Sequence, residues 1–281
     1  MKLLRSITSF AALTLMASGQ ETTSAGKAAY VLAKPGSTPP ANCVITQGQE
    51  LKNGKFKATM AGETKEGTCE SSESGTEAIE FLAPDKIRRT VTAASKVQTF
   101  VIDGKENPQR GSSPLLNTPV IMTRSEAGWT AALEKGNPTP LQRSLLKDLK
   151  YPDSSSKDIT AYGTAPRKIG DSWVVNLVDF PFAGVSDSNT AAGSVTITFK
   201  GIETFEGKKC ARLEAVMDMG QKNGNEDTGK PKVLMKGSVV ILRSLDDLID
   251  LKRDFTGTVE TSGDDMNLSG DYSMHETRSL K

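Results

Sequence analysis

From residue 43 onward, apolar and polar residues alternate with a period of two, the spacing that turns successive side chains of a strand to opposite faces of a sheet. Within 194–201, Val195, Ile197 and Phe199 alternate with Ser194, Thr196, Thr198 and Lys200. Further on, Ile249, Leu251, Arg253, Phe255 and Val259 alternate with Asp250, Lys252, Asp254, Thr256, Thr258 and Glu260, and then Met266, Leu268, Gly270, Tyr272 and Met274 alternate with Asn267, Ser269, Asp271, Ser273 and His275. Residues 76–82, 86–93 and 96–103 are strand-length runs separated by short turns at Ala83-Pro84-Asp85 and Ala94-Ser95. Glu206-Gly207-Lys208 and 262–265 supply further hairpin turns, and 233–243, apolar almost throughout, reads as a central strand. Such alternation makes one face of the sheet dry and the other wet, so the dry face must be covered by a second sheet, a helix or a ligand.

One segment departs from that period. Pro140 suits the first turn of a helix, and Leu141, Leu145 and Leu149 recur at four-residue spacing, which predicts an amphipathic helix over 139–150 with those leucines turned to the core. Pro152 and the serines at 154–156 end it. A single helix cannot supply the crossovers of a parallel sheet, so the pattern predicts a mainly β fold on a large antiparallel sheet. Residues 43–281 then form a single β-rich domain, whose two meander halves, 43–135 and 160–281, are joined by the helix.

The first residues carry Lys2 and Arg5, followed by a mostly apolar run over 6–16 and a small, polar exit over 17–20. That order reads as a signal peptide over 1–19, because the apolar run falls short of the roughly 20 residues that a membrane-spanning helix needs. The stretch 20–42, rich in Thr, Ser, Ala, Gly and Pro, reads as a flexible linker with one strand at 29–33. The protein is therefore expected to be exported, periplasmic or secreted, and no later segment predicts a transmembrane span. The net charge of +1 becomes +1 − 2 = −1 without Lys2 and Arg5, which leaves no basic footprint for nucleic acid. Aromatic residues make up 5% of the chain, too few for a platform that stacks bases or sugars. Export also suits a disulfide between Cys43 and Cys69, closing a loop of about 25 residues for about 3 kcal/mol. Cys210, in a strand-like run, reads as a small buried hydrophobe.

Candidate chemistry is sparse. The chain has no HExxH, no Gly-x-Ser-x-Gly, no phosphate-binding loop and no dinucleotide fingerprint. Its one histidine, His275, falls on the predicted polar face of the last strand. Asp246, Asp247, Asp250 and Asp254 cluster in sequence, but Asp250 and Asp254 alternate with apolar residues as a solvated strand face requires. Trp173, following the Gly170-Asp171 turn, reads as a core anchor. No residue is assigned a catalytic, cofactor-binding or metal-binding role, no cofactor is expected, and the ligand-binding residues stay unspecified. The reading is a non-catalytic exported protein that binds or scaffolds an apolar ligand or an envelope protein partner. The alternatives are a structural module without a ligand cavity and, third, a carboxylate-dependent hydrolase.

The segments Ile169-Gly170-Asp171-Ser172-Trp173, after a Leu-rich helix and a Pro, and Phe205-Glu206-Gly207-Lys208-Lys209-Cys210-Ala211 resemble uncharacterised exported bacterial β-rich proteins. The resemblance runs from about Thr139 to the C-terminus. It implies a half-barrel or barrel-like meander similar in outline to the periplasmic lipoprotein carriers: a curved antiparallel sheet partly closed by helix. The chain departs from that pattern in having few aromatic residues and one clear helix.

Overall fold

The structure, a computed structural model, describes residues 28–35, 42–60, 63–126, 128–149, 154–176, 191–221, 232–263 and 266–281. The leader expected at 1–19, and most of the linker expected at 20–42, lie outside these residues. The strands are β1 (Ala29–Tyr30), β2 (Asn42–Met60), β3 (Glu63–Ala83), β4 (Lys86–Ile102), β5 (Lys105–Gly111), β6 (Val120–Ser125) and β7 (Gly128–Leu133). After helices α1 (Pro140–Asp148) and α2 (Ser154–Tyr162) come β8 (Arg167–Lys168), β9 (Ser172–Asn176), β10 (Ala191–Phe205), β11 (Lys208–Gln221), β12 (Lys232–Ser244), β13 (Asp250–Ser262) and β14 (Met266–Leu280). Twelve of them form one large, curved antiparallel sheet in the order β7-β6-β4-β3-β2-β14-β13-β12-β11-β10-β9, with β5 also on β4. Its two ends do not meet, so the sheet stays open.

The two meanders predicted from alternation are both present. They are merged into one sheet by backbone pairing of β14 with β2, from Met266 opposite Ala58 to Leu280 opposite Cys43, and α1 lies between them in the order of elements along the chain. Pairing of equal-face residues carries the alternation across the sheet. Ile197, Ala215, Val239, Phe255 and Met274 are neighbours on one face, which we call the inner face, and all are buried. Both helices cover it. Ala161 and Tyr162 of α2 join the cluster around Ile197, Phe199 and Leu213, while Leu146 of α1 joins Cys43, Ile45, Ile79, Ile87 and Met122.

Several expectations are corrected. Ala94 and Ser95 are not a turn: β4 runs through them, paired with Gly75 and Ser74. In α1 the leucine stripe is rotated, since Leu141 is 61% exposed and Leu145 36%, whereas Leu146 is buried. The helix turns its 142-146-149 face to the protein because Thr139 and Gln142 close a capping box and the Gln142 amide also donates to the Pro114 carbonyl. The serines that end α1 lead directly into a second helix. Part of the expected linker is core: Leu32 and Ala33 are buried in the α2 cluster, and β1 pairs with β8.

The expected Cys43–Cys69 disulfide is absent, because both thiols are free and buried. Cys43 opens β2 opposite Ile79, whereas Cys69 lies opposite Gly54 on the same hairpin. Residues 43 to 54 are eleven residues apart along β2, about 35 Å of strand, against a bridging limit of about 7 Å between Cα atoms. Cys210 is buried, as a small hydrophobe should be.

Two close contacts fix the middle of the sheet. Gly237 and Gly257 face one another across β12 and β13, and the Phe255 ring lies over both. A Cβ on Gly257 would stand 2.0 Å from the Lys236 carbonyl oxygen. Gly257→Val should therefore destabilise by about 1–3 kcal/mol, read from chemical-denaturation midpoints. The three thiols should resist a water-soluble thiol reagent in native buffer and react together on unfolding; two equivalents missing after non-reducing denaturation would restore the disulfide.

Candidate functional site

The inner face carries three environments in succession: a buried ionic clasp, a polar recess and a partly exposed apolar patch. The clasp arises from a bulge. Leu242 pairs with Lys252 and Arg243 with Asp250, so Leu251 is left over and the phase of β13 reverses at that point. Asp250, expected on the solvated face, is thereby turned inward and buried. Arg243 is 1% exposed and donates from Nη1 to Asp250 Oδ1 at 2.6 Å, from Nη2 to Asp158 Oδ2 at 2.8 Å and to the Leu248 carbonyl at 2.5 Å, and from Nε to the Leu32 carbonyl at 2.6 Å. Its guanidinium stacks 4.2 Å from the centre of the Tyr162 ring, whose hydroxyl donates to Asp250 Oδ2 at 2.8 Å. Arg253 adds two further bonds to the same oxygen and lies 3.6 Å from Glu276, which also faces Arg278.

Burial alone would push the Asp250 carboxyl up, but Arg243 and Arg253 outweigh it and hold the carboxyl below its usual range. Burial lifts the Asp158 carboxyl above its usual range, against the pull of Arg243. Burial, reinforced by Asp250, pushes the Tyr162 phenol well up. Two carboxylates thus converge in a desolvated place, but on a guanidinium, with both Asp250 oxygens engaged. The arrangement ties α2 (Asp158, Tyr162), the N-terminal segment (Leu32) and β12–β14 into one unit.

Beside it lies a recess of about 150 Å³ across β14, β2 and β3, lined by Gln47, Gln49, Glu73, Tyr272, Met274 and Glu276 among others. A chain of polar contacts crosses four strands at its floor. The Tyr272 hydroxyl donates to Gln49 Oε1 at 2.7 Å, the Gln49 amide donates to Glu73 at 3.1 Å, and Lys96 stands 3.8 Å from Glu73. Burial, with some help from Glu73, raises the Tyr272 phenol.

Past the recess the inner face turns apolar again. Leu51, Phe56 and Cys69 are buried there, and Ala58, Phe100, Ile102, Val259 and Leu268 pack against them while staying partly exposed. Phe56 and Phe100 meet edge to face at 5.4 Å. Among the described residues, none from either helix belongs to this patch.

The residues singled out from sequence are dispersed. Cys43 and Cys69 sit at opposite ends of the inner face, in separate clusters. His275 is exposed on the outer face, over Gly48. Trp173 is the anchor expected of it: partly buried against the α2 cluster, it donates from Nε1 to the Ala161 carbonyl at 2.8 Å. Asp247 caps its own turn through Ser244, and Asp254 pairs with Lys252 at the surface. Arg243, Asp158 and Tyr162 were not foreseen. One signal was present, since Arg253 holds an apolar-phase position in its strand. Among the described residues, no three of His, Cys, Asp and Glu are grouped to hold a metal ion, and no helix is long and apolar enough to cross a membrane.

No family model and no curated protein matches the chain. Solved structures with partial similarity include lipovitellin, studied for its lipid–protein interactions, at 10% identity and a TM-score of 0.41. That match covers 86% of this chain and 25% of the lipovitellin chain, so this chain spans about a quarter of its length. A β-barrel-like protein of domain of unknown function DUF1849 from Brucella abortus has 9% identity and a TM-score of 0.23, over 86% of this chain and 98% of that one. A DUF1329 family protein from Desulfovibrio piger has 9% identity and a TM-score of 0.15, over 85% and 84%. None of these similarities reaches a level from which a shared function follows.

The clasp makes two opposed pH predictions. Asp250, lowered in the folded state, adds stability that is complete above about pH 4 and is lost as pH falls through its folded value. Asp158, raised, adds stability that is complete below about pH 4 and is lost as pH rises through its folded value. Asp250→Asn should cost about 3–5 kcal/mol at neutral pH, because two buried arginines lose their carboxylate. Asp158→Asn should cost less, and its deficit should grow from about pH 7 to about pH 4 in urea titrations. A deficit that shrinks over that interval would contradict this assignment.

Proposed function

We propose that the protein is an exported cell-envelope protein, periplasmic or secreted, that holds an apolar ligand or an apolar segment of a partner protein against its inner face and does no chemistry on it. The observation that carries this reading is the apolar patch of Leu51, Phe56, Phe100, Ile102, Val259 and Leu268, which continues the dry face of the sheet beyond the cores that the two helices cover. An apolar sheet face is stable in water only when something covers it. The adjoining recess adds a few polar groups beside apolar walls, the usual make-up of a binding site. The absence of a catalytic role is supported by the state of the carboxylates: Glu73 and Glu276, which line the recess, are each engaged by a cation, and Asp250 is sealed in the clasp. Export is supported by Lys2, Arg5 and the apolar run that follows them.

A second reading, an interaction module without a ligand, is favoured by the fully packed interior around Val195, Ile197, Phe199 and Leu213, each 0% exposed. One experiment separates the two. The protein is purified from its own envelope without detergent exchange and examined by native mass spectrometry and lipid extraction. A bound apolar small molecule supports the first reading, and its occupancy should fall several-fold in Val259→Thr/Leu268→Thr with the fold intact by circular dichroism. Recovery of no small molecule, with a protein partner whose binding is unchanged in Val259→Thr/Leu268→Thr, selects the second.

A further inference from the structure

The edge of the sheet at β7 and the helix α1 border a second, half-open recess of about 410 Å³, within the range of about 300–1,000 Å³ typical of small-molecule sites. It shares no residue with the inner-face patch. Trp129, Ala131, Leu133 and Leu146 give it apolar walls, and Arg143 and Lys147 stand on it one helical turn apart. Among the described residues, no acidic side chain lines it. Among the described residues neither cation has an ion-pair partner, and the Arg143 guanidinium is held only by a 3.4 Å contact to the Pro138 carbonyl. Glu134, the acid next to Leu133, is bonded instead to Arg88. On the same helix Leu141 and Leu145 are exposed, a feature that the packing of α1 on the sheet leaves unexplained.

We propose that this recess binds the single alkyl chain of an anionic amphiphile, with its carboxylate or phosphate head on Arg143 and Lys147 and its chain along Trp129, Leu133 and Leu146. Two cations without a counter-ion beside a wall of apolar side chains complement such a molecule on both counts, and they disfavour a cationic head of equal chain length by like-charge repulsion.

The test uses the full chain and Trp129 as reporter. Trp129 and Trp173 are the 2 tryptophans of the chain, so in Trp173→Phe the emission comes from Trp129 alone. Dodecanoate, added below its critical micelle concentration, should shift that emission and release heat in calorimetry with the unaltered protein. Arg143→Gln/Lys147→Gln, a surface change, should weaken binding about tenfold or more, and raised salt should weaken it as well. Dodecyltrimethylammonium should bind at least about tenfold more weakly than dodecanoate. Equal binding of the cationic amphiphile, or unchanged binding by the double variant, would overturn the assignment. Heat without a change in Trp129 emission, abolished by Val259→Thr/Leu268→Thr, would place the chain on the inner face, sustaining the proposed function while ending this one. Association with phosphatidylglycerol vesicles and none with monomeric dodecanoate would also overturn it, making α1 a membrane contact and not a site for one molecule.

Discussion

The pairing of β14 with β2 sets Leu280 beside Cys43 and converts two meanders into one sheet. Strands from opposite ends of the described chain must find each other for this to happen, and closing so long a loop costs conformational entropy before any contact offsets it. Much of what the inner face offers depends on that step. Tyr272 reaches Gln49, and Met274 and Glu276 come to line a recess with Gln47 and Glu73, because β14 and β2 meet in this register and in no other. A slip of one residue would turn each of these side chains to the opposite face.

The clasp around Arg243 solves a different problem, the attachment of covering elements to the sheet. Leu32, Asp158 and Tyr162 come from segments with few backbone bonds to the main sheet, yet each is bound to Arg243 or to its partner Asp250. Ion pairs in such a place need not stabilise more than apolar residues of the same shape, but removing one member strands the others without solvent. The network therefore makes departure of α2 costly, and it fixes where the helix sits over Ile197, Phe199 and Leu213 more closely than oily contact alone would.

The fold was largely legible because alternation is a local signal that survives wherever one face of a strand is dry. The turns at 83–85 and 206–208 and the central strand at 233–243 follow from it directly, while the turn expected at 262–265 lies partly outside the described residues. What failed were features set by non-local geometry. A single extra residue at Leu251 inverted the phase of β13, so Asp250, polar by every local rule, became the most enclosed carboxylate in the clasp. Four-residue spacing found α1 but not its orientation, which Gln142 sets by bonding to Pro114 elsewhere in the chain. Spacing of Cys43 and Cys69 suggested a loop, and only the hairpin register shows that they lie at opposite ends of it. The candidate site was the least legible part. Tyr272, Gln49 and Glu73 come from three strands and carry no motif, while Asp158 and Tyr162 lie in a helix whose SSSKDITAY sequence has a weak apolar stripe.

The long strands, β2, β3, β4 and β10 to β14, lie inside the sheet, and its boundaries are short: β7 with six residues, β9 with five, and β5, fully exposed, with Pro108 and three charged side chains in seven residues. An unpaired strand recruits foreign chains in proportion to the length and flatness of the hydrogen-bonding row it offers, and a proline removes a donor from that row. A sheet of this width can thus stay open, without closing into a cylinder, and still present short free rows at its described boundaries.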